Sequence, residues 1–137
     1  MANEDKIKQW IEIADKDFAT ANHIALTMHP VPDEIVCFHC QQAVEKYLKG
    51  FLVFHDVEPP KIHDLTELLE LCINIAANFS SKYDKCDILT QYGVLPRYPN
   101  EMPIEKEDRD RALAYTKEII SFIRKEVPEM FKEETNG

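Results

Sequence analysis

Gln42, Glu45 and Lys49 recur at i, i+3 and i+7 along one run of the chain. If that run is helical, at 100° per residue, the three side chains lie within about 60° of one another. An amide, a carboxylate and an ammonium would then share one narrow ribbon, able to hold one another or to meet a ligand. The plain alternative is a solvated edge, on which a Glu45–Lys49 pair at i, i+4 contributes ~0.3–0.5 kcal/mol. What surrounds the ribbon argues against the wet face. The wide opposite arc carries Val36, Cys37, Cys40, Ala43, Val44, Tyr47, Leu48, Phe51 and Phe54, and the ribbon itself is flanked by Ile35, Phe38, Leu52 and Val53. A helix that is apolar on both sides is normally covered on both sides. One small domain can hardly do that alone, so a second copy or a partner is the expected cover, with the ribbon at a protected seam.

Other residues could do chemistry on their own. Cys37-Phe38-His39-Cys40 contains C-x-x-C, but a structural zinc needs four converging ligands and no second pair has suitable spacing. Within a helix both cysteines fall on the apolar arc and read as small core residues; neither a metal nor a cofactor is expected. His63 beside Asp64 reads as part of a helix start, or as a histidine near a cleft able to meet a phosphate or a base. His39 lies between the two arcs of its helix, as a buried polar anchor or a seam residue. Arg97 and Tyr98 sit in a proline-rich stretch, where binding groups are common, though Arg97 could equally tie that stretch to an acidic neighbour. The charged run Glu105-Lys106-Glu107-Asp108-Arg109-Asp110-Arg111 reads as a solvated first helical turn whose acids suit the macrodipole.

These residues must be positioned by helices. Five are expected and no strand. The first covers about 4–28, with Ile7, Trp10, Ile11, Ala14, Phe18, Ala21, Ala25 and Met28 at spacings of three and four. His29-Pro30-Val31-Pro32 ends it, and the second helix covers about 33–55. After Val57-Glu58-Pro59-Pro60-Lys61, a third begins at Asp64, which with Glu67 has capping-box spacing. Its stripe is Leu65, Leu68, Leu69, Cys72, Ile73 and Ala76. A shorter fourth helix covers about 81–92, an irregular stretch about 93–103, and a fifth helix about 104–130. In the fifth, Ala112, Tyr115, Ile119, Phe122, Ile123 and Val127 are the expected buried positions, with fraying beyond. Long helices joined by short connections predict an all-α, up-and-down antiparallel five-helix bundle.

Bulk properties agree. A chain of 137 residues suits one domain, here 1–137 with its core at about 5–128, and 45% hydrophobic residues describe a globular protein. Three glycines against eight prolines disfavour a many-turned β architecture. A formal net charge of −9 lacks the cationic coat of a general nucleic-acid binder, so contact with RNA or a nucleotide must be local. No run of 18 apolar residues occurs, and residues 1–5 do not lead into a signal peptide; no membrane association is expected, the location reads as cytoplasmic and the four cysteines as reduced.

The run from Cys37 through Gln41-Gln42-Ala43-Val44-Glu45-Lys46-Tyr47-Leu48-Lys49 to Leu52 resembles the second helix of the HEPN domain family, which often reads aromatic-His-x-Gln-Gln-Ala-x-Glu-Lys-x-Leu-Lys. His63-Asp64-Leu65-x-x-Leu68 resembles the start of that family's third helix. Arg97-Tyr98-Pro99-Asn100 resembles its Arg-Tyr-Pro signature before the last helix. The resemblance implies a helical bundle, commonly a homodimer. It implies a nucleotide- or substrate-binding role, often beside a minimal nucleotidyltransferase. Arg97, Tyr98, His63, Lys49 and Lys46 would then stand near a nucleotide or RNA end, with Gln42 and Glu45 orienting the helix or the ligand. Other branches are metal-independent ribonucleases, many of them toxins, which carry Arg-x(4–6)-His near the final helix. In this chain every histidine (His23, His29, His39, His55, His63) precedes every arginine (Arg97, Arg109, Arg111, Arg124), so that motif is absent. A ribonuclease would need an atypical base such as His63. A third expectation is a purely structural dimerisation module.

Overall fold

The computed structural model describes residues 4–94 and 103–132. Five α-helices account for most of them: α1 Glu4–Thr27, α2 Asp33–Phe54, α3 Leu65–Ile75, α4 Tyr83–Thr90 and α5 Lys106–Glu126. There is no strand among the described residues, and the helices pack as the expected all-α bundle.

The helix ends follow the local chemistry. Asp64 caps α3, its carboxylate accepting from the Thr66 and Glu67 amides, with the Thr66 hydroxyl donating to the same oxygen at 2.7 Å. The complete reciprocal box forms instead at α5, between Glu105 and Asp108. Two ends differ from the sequence reading. The chain before α4 is a 3-10 turn, Ala77–Lys82, so that helix starts at Tyr83. Helix α5 stops at Glu126 because Pro128 cannot continue it, and Pro128–Phe131 folds back as another 3-10 turn that buries Met130 and Phe131. α2 ends with Asp56 in the left-handed region (φ 60°) and the Val57 amide reaching back to the Leu52 carbonyl at 2.9 Å.

Helix α2 is the axis of the bundle. It packs against α1, α3, α4 and α5, and thirteen of its residues, Val36 to Leu52, are buried. The second apolar side, for which cover by another molecule was expected, is covered in part by the chain's own helices. Leu52 is wholly buried within the single chain, and Ile35, Phe38 and Val53 are half-buried. A central helix meets neighbours on several sides, so part of its double-sided apolarity is satisfied within one chain. The remaining core comes from Ile7, Ile11, Ala14 and Ala21 of α1, Leu65, Leu68, Leu69 and Cys72 of α3, Cys86 and Leu89 of α4, and Ala112, Thr116, Ile119, Ile120 and Ile123 of α5. Tyr115 and Phe122, expected inside, are half-buried; Thr116 and Ile120 take the inner positions. Met28, expected on the α1 stripe, is exposed.

Polar pins fix the helices on α2. His39 Nδ1 lies 3.0 Å from Asp17 Oδ1 of α1, which makes His39 the anchor between the two arcs. Tyr47 donates to Asp15, and Arg124 Nη2 of α5 donates to Tyr47 Oη at 3.1 Å and to Asp15 Oδ2 at 3.4 Å. Arg109 Nη1 donates to Asp33 Oδ1 at 2.8 Å. The charged run opening α5 is therefore not only solvated: Arg109 is largely covered and ties α5 to the start of α2.

Candidate functional site

Two turns of α2 place Gln41, Gln42, Glu45, Lys46 and Lys49 side by side, and the chain leaving α2 returns across them before α3 begins. The Asp64 cap holds the far end of that return, which brings His63 over the ribbon. His63 Nδ1 lies 2.9 Å from Glu45 Oε1, while Gln41 Nε2 donates to the His63 carbonyl at 2.8 Å. Glu45 Oε2 accepts from Lys49 Nζ at 3.2 Å and from Lys46 Nζ at 3.3 Å. Lys46 also donates to Gln42 Oε1 at 3.0 Å, and Gln42 Nε2 to Gln41 Oε1 at 2.7 Å. Six side chains form one continuous network.

Both oxygens of Glu45 are engaged although the residue is only 1% exposed. Burial works to raise its carboxyl pKa; the His63 hydrogen bond and the charges of Lys46 and Lys49 outweigh it, and the net direction is down. Glu45 is thus a carboxylate in the folded protein. An ionised carboxylate only accepts, so the Nδ1 facing it carries a proton, and in the neutral imidazole Nε2 then holds the lone pair. The His63 side chain is 72% exposed, so Glu45 fixes the tautomer of an imidazole that solvent and solutes can reach.

Of the expected site residues, Gln42, Glu45, Lys46, Lys49 and His63 are brought together; Arg97 and Tyr98 lie outside the described residues. Gly93 lies beside this network: a methyl group there would be 3.2 Å from Gln41 Nε2.

The pattern of the second helix, the histidine at the third helix and the five-helix topology are joined by a match of the HEPN domain model to residues 7–127. The chain belongs to the HEPN domain family. No curated protein and no solved structure gives a significant match.

In this HEPN domain the network opens on a cleft that the sequence reading missed. Lys49 is common to both. The cleft has a volume of about 680 Å³, between α1 (Lys6, Gln9, Trp10, Ile13), α2 (Lys49, Val53) and the connection Asp56 to Lys61. Trp10 was assigned to the core stripe of α1 by its spacing; it sits at the stripe's edge, half-buried, with Lys49 Nζ 5.8 Å from its ring centroid. Gln41 has no spacing signature in the sequence, being an amide on an apolar arc. The signal available was its neighbour Gln42, since adjacent glutamines on a helix can hydrogen-bond side by side.

The C-x-x-C pair belongs to the core. Cys37, Cys40, Cys72 and Cys86 are all buried and free, and burial pushes the Cys37, Cys40 and Cys86 thiols up to about 12. Among the described residues no group of three His, Cys, Asp or Glu could hold a metal ion, and no helix is long and apolar enough to cross a membrane.

Proposed function

We propose that this HEPN domain binds a phosphate-bearing ligand, a nucleotide or an RNA end, and presents it to a minimal nucleotidyltransferase subunit. The observation that supports this most is one carboxylate shared by two lysines. Glu45 supplies one negative charge and Lys46 with Lys49 two positive ones, which leaves a local positive excess on a chain of net charge −9. Lys46 spends two of its three ammonium hydrogens on Gln42 and Glu45 and keeps one for an incoming oxygen. His63 adds Nε2 from the same network, an acceptor for a ligand hydroxyl. Arg97 and Tyr98, four and five residues after Gly93 in the chain, are proposed to complete the phosphate contacts, the guanidinium bidentately.

Thermal unfolding against a panel of nucleotides and short RNAs tests this. A ligand at 100 times its Kd should add about 2.7 kcal/mol, and Lys46→Ala and Arg97→Ala should each reduce the shift. Absence of a shift with every ligand would leave a structural module, whose pairing with a second copy sedimentation can measure.

The Glu45–His63 hydrogen bond favours a second reading, a metal-independent ribonuclease of toxin type in which His63 moves the proton and Arg97 steadies the phosphate. It predicts RNA cleavage in the presence of a chelator, lost in both His63→Ala and Arg97→Ala while the fold persists. Intact RNA after prolonged incubation with the wild-type chain would exclude it.

A further inference from the structure

We infer that the cleft between α1, α2 and the connection 56–61 is a nucleobase subsite, taking the base and ribose of a nucleoside phosphate whose phosphate meets Lys49 and Lys46. This rests on the phosphate-ligand reading above and deepens it by naming what lies beyond the phosphate.

Four observations carry the inference. First, the walls are of the right kind. Trp10, Val53, Pro59 and Pro60 give the cleft a flat aromatic and an apolar lining, and a base offers a π-face and an apolar body to such a surface. Second, about 680 Å³ falls within the range of small-ligand sites. Third, the polar lining is mixed. Lys49 stands at the end shared with the Glu45 network, Lys6 lines the α1 side, and the connection brings Asp56, Glu58 and Lys61. The carboxylates can accept hydrogen bonds from ribose hydroxyls or an exocyclic amine, and the lysines suit a ligand phosphate. Fourth, the depth is built in. Gly50 lets α1 approach so closely that a Cβ at that position would lie 3.3 Å from Trp10 Cβ, and Gly50 itself is buried.

Trp10 is the single tryptophan in the chain, so it reports on its own cleft. Nucleoside monophosphates, ribose 5-phosphate and pyrophosphate are titrated against the intact protein by calorimetry and by tryptophan fluorescence. We expect nucleoside monophosphates to bind at least about tenfold more tightly than ribose 5-phosphate, as loss of one base–aromatic stack implies, and to change the Trp10 emission. Trp10→Leu should weaken the nucleotides about tenfold while leaving ribose 5-phosphate unchanged, with Trp10→Phe close to wild type. Val57→Glu changes an exposed residue at the cleft wall and should weaken nucleotides selectively even where Trp10→Leu fails to fold. Equal affinity for nucleotides and ribose 5-phosphate, with unchanged emission, would overturn the base subsite and leave the phosphate reading standing. No binding by any of the three probes would overturn both.

Discussion

The two long faces of α2 are equally buried and solve burial in opposite ways. On one, Cys37, Cys40, Val44, Leu48 and Phe51 are at 0% exposure and meet only other packed groups, ordinary close-packed core. On the other, Gln41, Glu45 and Lys49 are nearly as buried, at 0%, 1% and 6%, and each polar atom is matched to another by hydrogen bonds of 2.7–3.3 Å. Apolar packing needs only volume, whereas the polar face needs every partner at once, because a buried charge left alone is far more costly than a small void. A bundle this size could have filled that face with leucine. That it carries a carboxylate, two ammoniums and a histidine open to solvent is the contrast on which the proposed binding role rests.

The sharpest way to break the comparison is to truncate each face. Glu45→Ala leaves Lys49, with 7% side-chain exposure, facing no anion, and should cost about 3–5 kcal/mol in urea denaturation. Leu48→Ala on the apolar face should cost a comparable ~2–5 kcal/mol, through a cavity. The faces then separate in the rescue. Glu45→Leu with Lys49→Met replaces the pair by packed side chains and should recover most of the lost stability, while nucleotide binding stays lost. No second substitution of that type restores Leu48→Ala. If the double variant were as unstable as Glu45→Ala, the network would be a structural necessity and the contrast between faces would disappear. Leu52→Glu does not serve as a probe of pairing with a second copy, because Leu52 is enclosed within its own chain.

A smaller effect comes from the place where the faces meet α1. Gly50→Val puts a branched side chain against Trp10 Cβ, 3.3 Å from the new Cβ, with Met130 Cε 3.8 Å away. The gain in helix propensity over glycine is at most about 1 kcal/mol, and overpacking against the Trp10 side chain costs ~1–3 kcal/mol. A net loss of stability together with a change in Trp10 emission is expected. Unaltered emission and stability would mean that α1 yields freely and that the cleft has no fixed depth.

The apolar face was legible in the sequence because packing leaves a period: from Val36 through Phe51 the expected core positions of α2 are all buried. The Gln42–Glu45–Lys49 ribbon was visible for the same reason, but its cover was not. Whether a helix is central or peripheral depends on how its neighbours are arranged, and one helix's pattern does not encode that. His63 could be named as a candidate but not paired with Glu45, since their approach depends on where the connection 56–64 crosses α2. Arg109 reads as a solvated charge in the sequence because its partner Asp33 lies 76 positions away. The cleft was hidden most completely: Trp10 obeys the spacing of a core residue, and only the glycine opposite it distinguishes a wall from an interior.

The gentlest test of the contrast is pH, because it discharges the polar face without altering the apolar one. Glu45 has its carboxyl held below the ordinary value of 4.5, His63 and the two lysines outweighing burial. Between the folded and unfolded pKa values the unfolded chain binds the proton that the folded chain refuses, so stability rises with pH across that window. The contribution of Glu45 is fully present above about pH 4.5 and is lost as pH falls through its lowered folded value. Urea midpoints measured from pH 7 downward should therefore decline below about pH 4.5, and Glu45→Gln should flatten that decline while Leu48→Ala lowers the whole curve without changing its slope. Equal slopes in wild type and Glu45→Gln would mean that Glu45 is not the carboxylate that its partners hold ionised, and His63 would lose the acceptor that fixes its tautomer.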